Sequence, residues 1–88
     1  MIKGKTSSGF KFEISKDVAN DYELVEYLGE LEDNPLVLGN IVTRMLGKEQ
    51  TARLKDHIRN DKGIVQTDKM TKEIMDIFKN SGEETKNS

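Results

Sequence analysis

Two hydrophobic periods divide the chain. Phe10, Phe12 and Ile14 alternate with Lys11 and Glu13, the period of a strand with one apolar face. Ile2, Gly4 and Thr6 alternate with Lys3 and Lys5 just upstream, and Ser7-Ser8-Gly9 between the two runs has the residues of a turn, with Gly9 available for positive φ. Residues 2–14 therefore read as a β-hairpin. A two-stranded ribbon is marginal in water by itself, so its Phe face must pack on something else in the fold.

The period then changes to that of helices. After a connection over residues 15–20, Leu24, Tyr27, Leu28 and Leu31 form one stripe of a helix from about Asp21 to Glu32, with Asn20 or Asp21 as its cap. Asn34-Pro35 marks a new start, because proline in the first turn lacks only an N–H that would have no partner there. Leu38, Ile41, Val42 and Met45 give the stripe of a second helix, 35–46, and Gly47 follows as its C-terminal stop. A third helix, 48–59, has a thin stripe of Leu54 and Ile58. Ile64-Val65 reads as an extended apolar link. Thr67 is the expected cap of a last helix, 68–79, with Met70, Ile74, Ile77 and Phe78 inward. Residues 81–88 are polar and read as a flexible tail. The expected fold is one α+β domain over 1–80: an N-terminal β-hairpin followed by a bundle of about four short α-helices.

Gly29 and Gly39 fall inside helical stretches, where each costs about 1 kcal/mol relative to alanine. Either they admit a close helix–helix approach, or helix one frays after Leu28 and Gly39 lies on an exposed face.

Composition narrows the chemistry. The 88 residues are 34% hydrophobic and 34% charged, with no cysteine, no tryptophan and a single histidine. No disulfide or Cys/His metal site can be built, so a core this lean gains from self-association or a partner. His57 lacks a nucleophile or carboxylate at catalytic spacing and reads as a surface or boundary residue. No catalytic, cofactor or metal-binding residue is expected. No apolar run reaches the ~18 residues of a membrane span, and Met1-Ile2-Lys3-Gly4-Lys5 does not read as a signal peptide; a cytoplasmic protein is expected.

Charge is unevenly placed. Seven carboxylates between Asp17 and Asp33 occur with no Lys or Arg among them, whereas Arg44–Lys62 holds six Lys/Arg against three carboxylates. The first run reads as a solvated acidic face, with a docking face for a basic partner as the competing reading; no glycine-bent loop makes it a calcium site. The second run, joined by the turn at Gly47, resembles a helix-turn-helix in outline, but its interspersed acids and the net charge of −2 argue against a nucleic-acid partner. Together the two runs make a dipolar surface suited to head-to-tail association.

Tyr22 and Val25 lie off the stripe of the first helix, Leu36 and Val37 off the second, and Met75 off the last. Five such residues in a lean chain point to a second buried surface, and these are the candidate partner-binding residues.

The phrases Lys3-Gly4-Lys5-Thr6-Ser7-Ser8-Gly9-Phe10-Lys11-Phe12-Glu13-Ile14, Asp21-Tyr22-Glu23-Leu24-Val25-Glu26 and Met45-Leu46-Gly47-Lys48-Glu49-Gln50 come in that order. They are followed by a Leu54/His57/Ile58 helix and a Met70/Ile74/Phe78 helix. In this the chain resembles the small tail assembly chaperones of long-tailed, siphovirus-type phages and prophages of Gram-positive bacteria, over about residues 2–80. The resemblance implies a non-enzymatic, self-associating protein of the host bacterial cytoplasm that binds the tape measure protein, keeps it soluble and helps recruit tail tube protein. Many such chaperones are also made in a longer, frameshifted form, and the resemblance implies that the extra C-terminal region of such a form would begin near 81–88. It assigns no site residue. The alternative expectation is a small prophage-encoded DNA-binding or transcription-modulating protein using helices 35–46 and 48–59, which would need Arg53, Lys55 and Arg59 to form one continuous exposed stripe.

Overall fold

The computed structural model describes the backbone of residues 1–87 and the side chains of residues 1–80. The hairpin pairs β1 (Ile2–Lys5) antiparallel with β2 (Lys11–Ile14), in the register Ile2 to Ile14 and Gly4 to Phe12. Thr6 N donates to Phe10 O and Gly9 N donates to Thr6 O, both at 2.9 Å, and Gly9 takes φ 93°, which closes a three-residue loop with glycine at its left-handed position. Ile2, Phe10, Phe12 and Ile14 are all buried on one face, as the alternation predicts.

The 15–20 connection holds a single-turn helix, α1 (Lys16–Ala19), which the expected connection omitted. Ser15 Oγ accepts from Val18 N at 3.2 Å, so a capping serine nucleates the turn without any apolar stripe to announce it. Next comes α2 (Tyr22–Glu30), capped by Asp21, whose Oδ1 accepts from Glu23 N and Leu24 N. Leu24 is wholly buried, with Tyr27, Leu28 and Leu31 packed partly against the core.

Asn34 caps the next segment through Leu36 N, but residues Pro35–Val37 wind as a 3₁₀ turn and the α-helix starts only at Leu38. The helix α3 (Leu38–Ile58) spans both of the expected middle helices and bends between them at Gly47, with φ 78° and ψ 169°. After an isolated bridge pairing Arg59 with Val65, α4 begins at Thr67. Thr67 is thus inside the helix; Met70 N donates to Gln66 O at 3.0 Å, placing the cap one residue earlier. The helix α4 (Thr67–Asn87) continues past the expected end at Lys79 through most of the expected tail. The tail's side chains, and Ser88 entirely, lie outside the described residues.

The fold is α+β: among the described residues an N-terminal hairpin is followed by four α-helices and the one 3₁₀ turn between α2 and α3. Its core centres on Leu24, Ile41, Leu54, Ile74 and Ile77, so α2, both arms of α3 and α4 each bury a full side chain. Each such burial stabilises by about 1.5–3 kcal/mol. The helix α4 packs on β1, and α3 packs on β2, α2 and α4. Gln50 on α3 fastens the outer edge of β2: its Oε1 accepts from Glu13 N at 2.8 Å and its Nε2 donates to Glu13 O at 2.7 Å. A side-chain amide thus supplies the bonds that a third strand would make. An ideal Cβ on Gly29 or Gly39 would meet nothing within 4 Å, so neither marks a close helix approach.

Candidate partner-binding surface

Four of the five candidate residues are exposed: Leu36 at 87%, Tyr22 at 73%, and Val25 and Met75 at 49% each. Val37 is the exception and a correction, being buried and part of the core cluster. The 3₁₀ turn packs on both α2 and α3, and this two-sided cover seals its last residue while Leu36, one position earlier, points away. In the expected Ile64-Val65 link, Val65 packs partly against the core, whereas Ile64 is 54% exposed. Backbone bonding explains this: Asn60 Oδ1 accepts from Ile64 N at 3.0 Å and Ile64 O accepts from Asn60 N at 2.9 Å, fixing the turn whatever its side chain contacts.

Leu36 stands on the rim of a groove of about 340 Å³ between the 3₁₀ turn, α3 and the start of α4. Val42, Val65 and Met70 give it an apolar wall, and Lys55 places one cation on its edge. As their stripe positions predict, Met45 and Met70 belong to the core, and Met75, off the stripe, faces out.

The basic run does not make a continuous stripe. Arg53 lies over the Phe10 ring, 5.7 Å from its centroid, beside the hairpin. Lys55 lines the Leu36 groove instead. Arg59 is held by Gly63 O at 2.8 Å and Asp56 Oδ1 at 3.4 Å. Arg53 and Lys55, two residues apart, fall on opposite sides of the helix, and Arg59 follows its last residue, Ile58, in extended conformation.

The acidic run is also partly answered within the chain. Arg44 donates to both carboxylate oxygens of Asp21 and, through Nη2, to Glu23 Oε1 at 2.9 Å. The guanidinium holds the Asp21 carboxyl below the ordinary carboxylate range, and the same contact raises Arg44. The ion pairs tie α2 to α3 and reduce the expected dipolar surface to its outer members, among them Glu26 and Glu30, which are exposed.

A polar cluster missed by the sequence reading joins the hairpin turn to α3 and α4. Thr6 is buried, and its hydroxyl donates to Glu73 Oε1 at 2.7 Å. Having given its one proton to Glu73, Thr6 Oγ1 must accept from Ser8 Oγ, 3.1 Å away, as it does from Phe10 N at 3.2 Å. Ser8 Oγ lies 3.1 Å from His57 Nε2, which is also 3.2 Å from Ser8 O. His57 thus ends a chain of polar contacts that runs through Ser8 and Thr6 to Glu73. Its imidazole also packs against Phe10, with ring centroids 5.6 Å apart. Next to it, Asp76 accepts from both Ser7 N at 2.7 Å and Ser7 Oγ at 2.8 Å, and these bonds hold its carboxyl below the ordinary range. The pattern Thr6-x-Ser8 with a distant Glu73 at an otherwise apolar helix position was the available signal.

Among the described residues no group of three or more His, Cys, Asp or Glu side chains could hold a metal ion, and no helix is long and apolar enough to cross a membrane. In comparisons with known proteins, no family model, no curated protein and no solved structure matches the chain.

Proposed function

We propose that this protein is a phage tail assembly chaperone, which binds and solubilises the tape measure protein, helps recruit tail tube subunits and performs no chemistry of its own. The observation that carries the reading is the apolar surface left over after the core is complete. Leu36, Tyr22, Val25 and Met75 remain exposed while, among the described residues, sixteen hydrophobic side chains are already buried. An exposed leucine on the rim of an apolar-walled groove is the kind of feature that receives one face of an amphipathic helix. A long helical, hydrophobic client offers many such faces. The client class comes from the resemblance of the hairpin and helix phrases to tail assembly chaperones, which also favours a homo-oligomer acting in the host cytoplasm.

The test is co-expression with the tape measure protein encoded just downstream, scored by pull-down and by client solubility. A stable complex with a client that is insoluble alone supports the reading. A client that stays insoluble and unbound beside a folded partner ends it. The scattered placement of Arg53, Lys55 and Arg59 gives the DNA-binding alternative no geometric support.

A further inference from the structure

A second concavity, of about 480 Å³, lies between the hairpin turn, the end of α3 and the first half of α4. Its polar lining is dominated by donors. Arg59, Lys69 and Lys72 bring three permanent cations to a chain whose net charge is −2. Lys69 and Lys72 are exposed and three residues apart on α4, hence on one face, and neither forms an ion pair among the described residues. Asn60 Oδ1 already accepts from Lys62 N at 2.9 Å and Ile64 N at 3.0 Å, which commits the oxygen and leaves the side-chain NH2 as its remaining function. The one carboxylate in the lining, Glu73, is only 5% exposed and engages Thr6. Glu73 is withdrawn and Lys69 and Lys72 are presented, whereas Arg59 is already held by Gly63 O and Asp56; the Lys72 charge is also felt by Asp76 one turn on.

We propose that this cleft binds a phosphate group, with Lys69 and Lys72 as the charged contacts and Asn60 as a neutral donor. Phosphate suits the lining better than a carboxylate does, because its oxygens diverge and its greater charge answers several cations at once. The volume exceeds that of a bare phosphate and falls in the range of small-molecule sites. Ile58 adds apolar wall, so a phosphoester with an organic moiety fits the cleft more fully than the inorganic ion. The proposal is independent of the chaperone reading and involves none of its residues.

The experiment is an amide and histidine-ring NMR titration of the full chain with inorganic phosphate and, separately, adenosine monophosphate, against chloride at matched ionic strength. Saturable shifts confined to the Ser8, His57, Asn60 and Lys72 region are expected with phosphate and not with chloride. Tighter binding of the monophosphate identifies an organic phosphoester as the source, and equal binding identifies free phosphate. K69Q/K72Q should weaken binding at least about tenfold. K16Q/K48Q, which removes the same charge elsewhere, should leave it unchanged. Shifts that never saturate, that spread over all the lysines, or that survive K69Q/K72Q in a folded protein overturn the proposal. So does a response to duplex DNA alone.

Discussion

Phe12 occupies the space that a side chain on Gly4 would need: a Cβ at position 4 would lie 2.6 Å from Phe12 Cζ and 3.0 Å from Cε2. The two residues face each other across the hairpin, and the ring is 2% exposed. Glycine is therefore required at position 4 by the cross-strand ring and not by backbone conformation, since φ there is not positive. Gly4→Ala should destabilise by about 1–3 kcal/mol, the usual cost of forcing extra volume into a packed core. Denaturant unfolding checks this, and an unchanged midpoint would mean that the ring has room to move. Gly4→Ala combined with Phe12→Leu should recover part of the loss.

Two other glycines separate conformation from space. Gly47 bends α3 with φ 78° and ψ 169°, a region nearly closed to other residues. An added Cβ there would meet nothing, so any cost is purely one of backbone. Gly47→Ala should lower stability by about 1–3 kcal/mol. Gly39 lies within α3 at ordinary helical φ with equally open surroundings. Gly39→Ala should raise stability by about 0.5–1 kcal/mol. Thermal unfolding of both variants tests the pair, and the same sign for both would refute the distinction.

The hairpin, the stripes and the Gly47 bend were legible because each rests on local pattern: alternation at Phe10, Phe12 and Ile14, helical spacing from Leu38 to Met45, and a glycine where the stripe breaks. Val37 was misread because its burial depends on a 3₁₀ turn covered from two sides, which no single-helix projection contains. The Thr6–Glu73 bond was not legible for a related reason. It joins residues 67 apart in sequence, and a glutamate on the Met70/Ile77 face of α4 stands out there without showing its partner until the hairpin is laid over it. Gln50 is a middle case: its place after Gly47 was visible, while its pairing with Glu13 depended on which strand edge α3 would cover. Local periodicity specifies elements, and tertiary closure decides which polar side chains become interior partners.

Asp76 makes part of that closure sensitive to acid. Ser7 N–H and Oγ–H favour its ionised form and hold its carboxyl below the ordinary aspartate range. A carboxyl depressed on folding contributes stability that is fully present above its unfolded pKa and is lost as pH falls through the folded one. Asp76→Asn should therefore be less stable than the parent at neutral pH. The difference should narrow once pH drops below 3.8. Parallel urea titrations at neutral and acid pH measure it, and a constant offset would show that the Asp76 charge is not what holds Ser7.

Leu36 and Val37 are adjacent in the chain and opposite in consequence. Val37 is 8% exposed within the core cluster, whereas Leu36 is 87% exposed on the groove rim. Val37→Ala should cost about 1–3 kcal/mol of folding stability, because it removes buried apolar surface and leaves space behind. Leu36→Ser removes almost no buried area and should change stability by less than about 0.5 kcal/mol. If the exposed apolar surface serves client binding, Leu36→Ser should nevertheless reduce the tape measure protein recovered in a soluble complex, and Tyr22→Ser with Leu36→Ser should reduce it further. The folded but binding-deficient variant is the informative one, because loss of binding in Val37→Ala would follow from loss of fold alone. Full client recovery by the Tyr22/Leu36 double variant would remove this surface from the binding site and leave Val25 and Met75 as the residues to vary next.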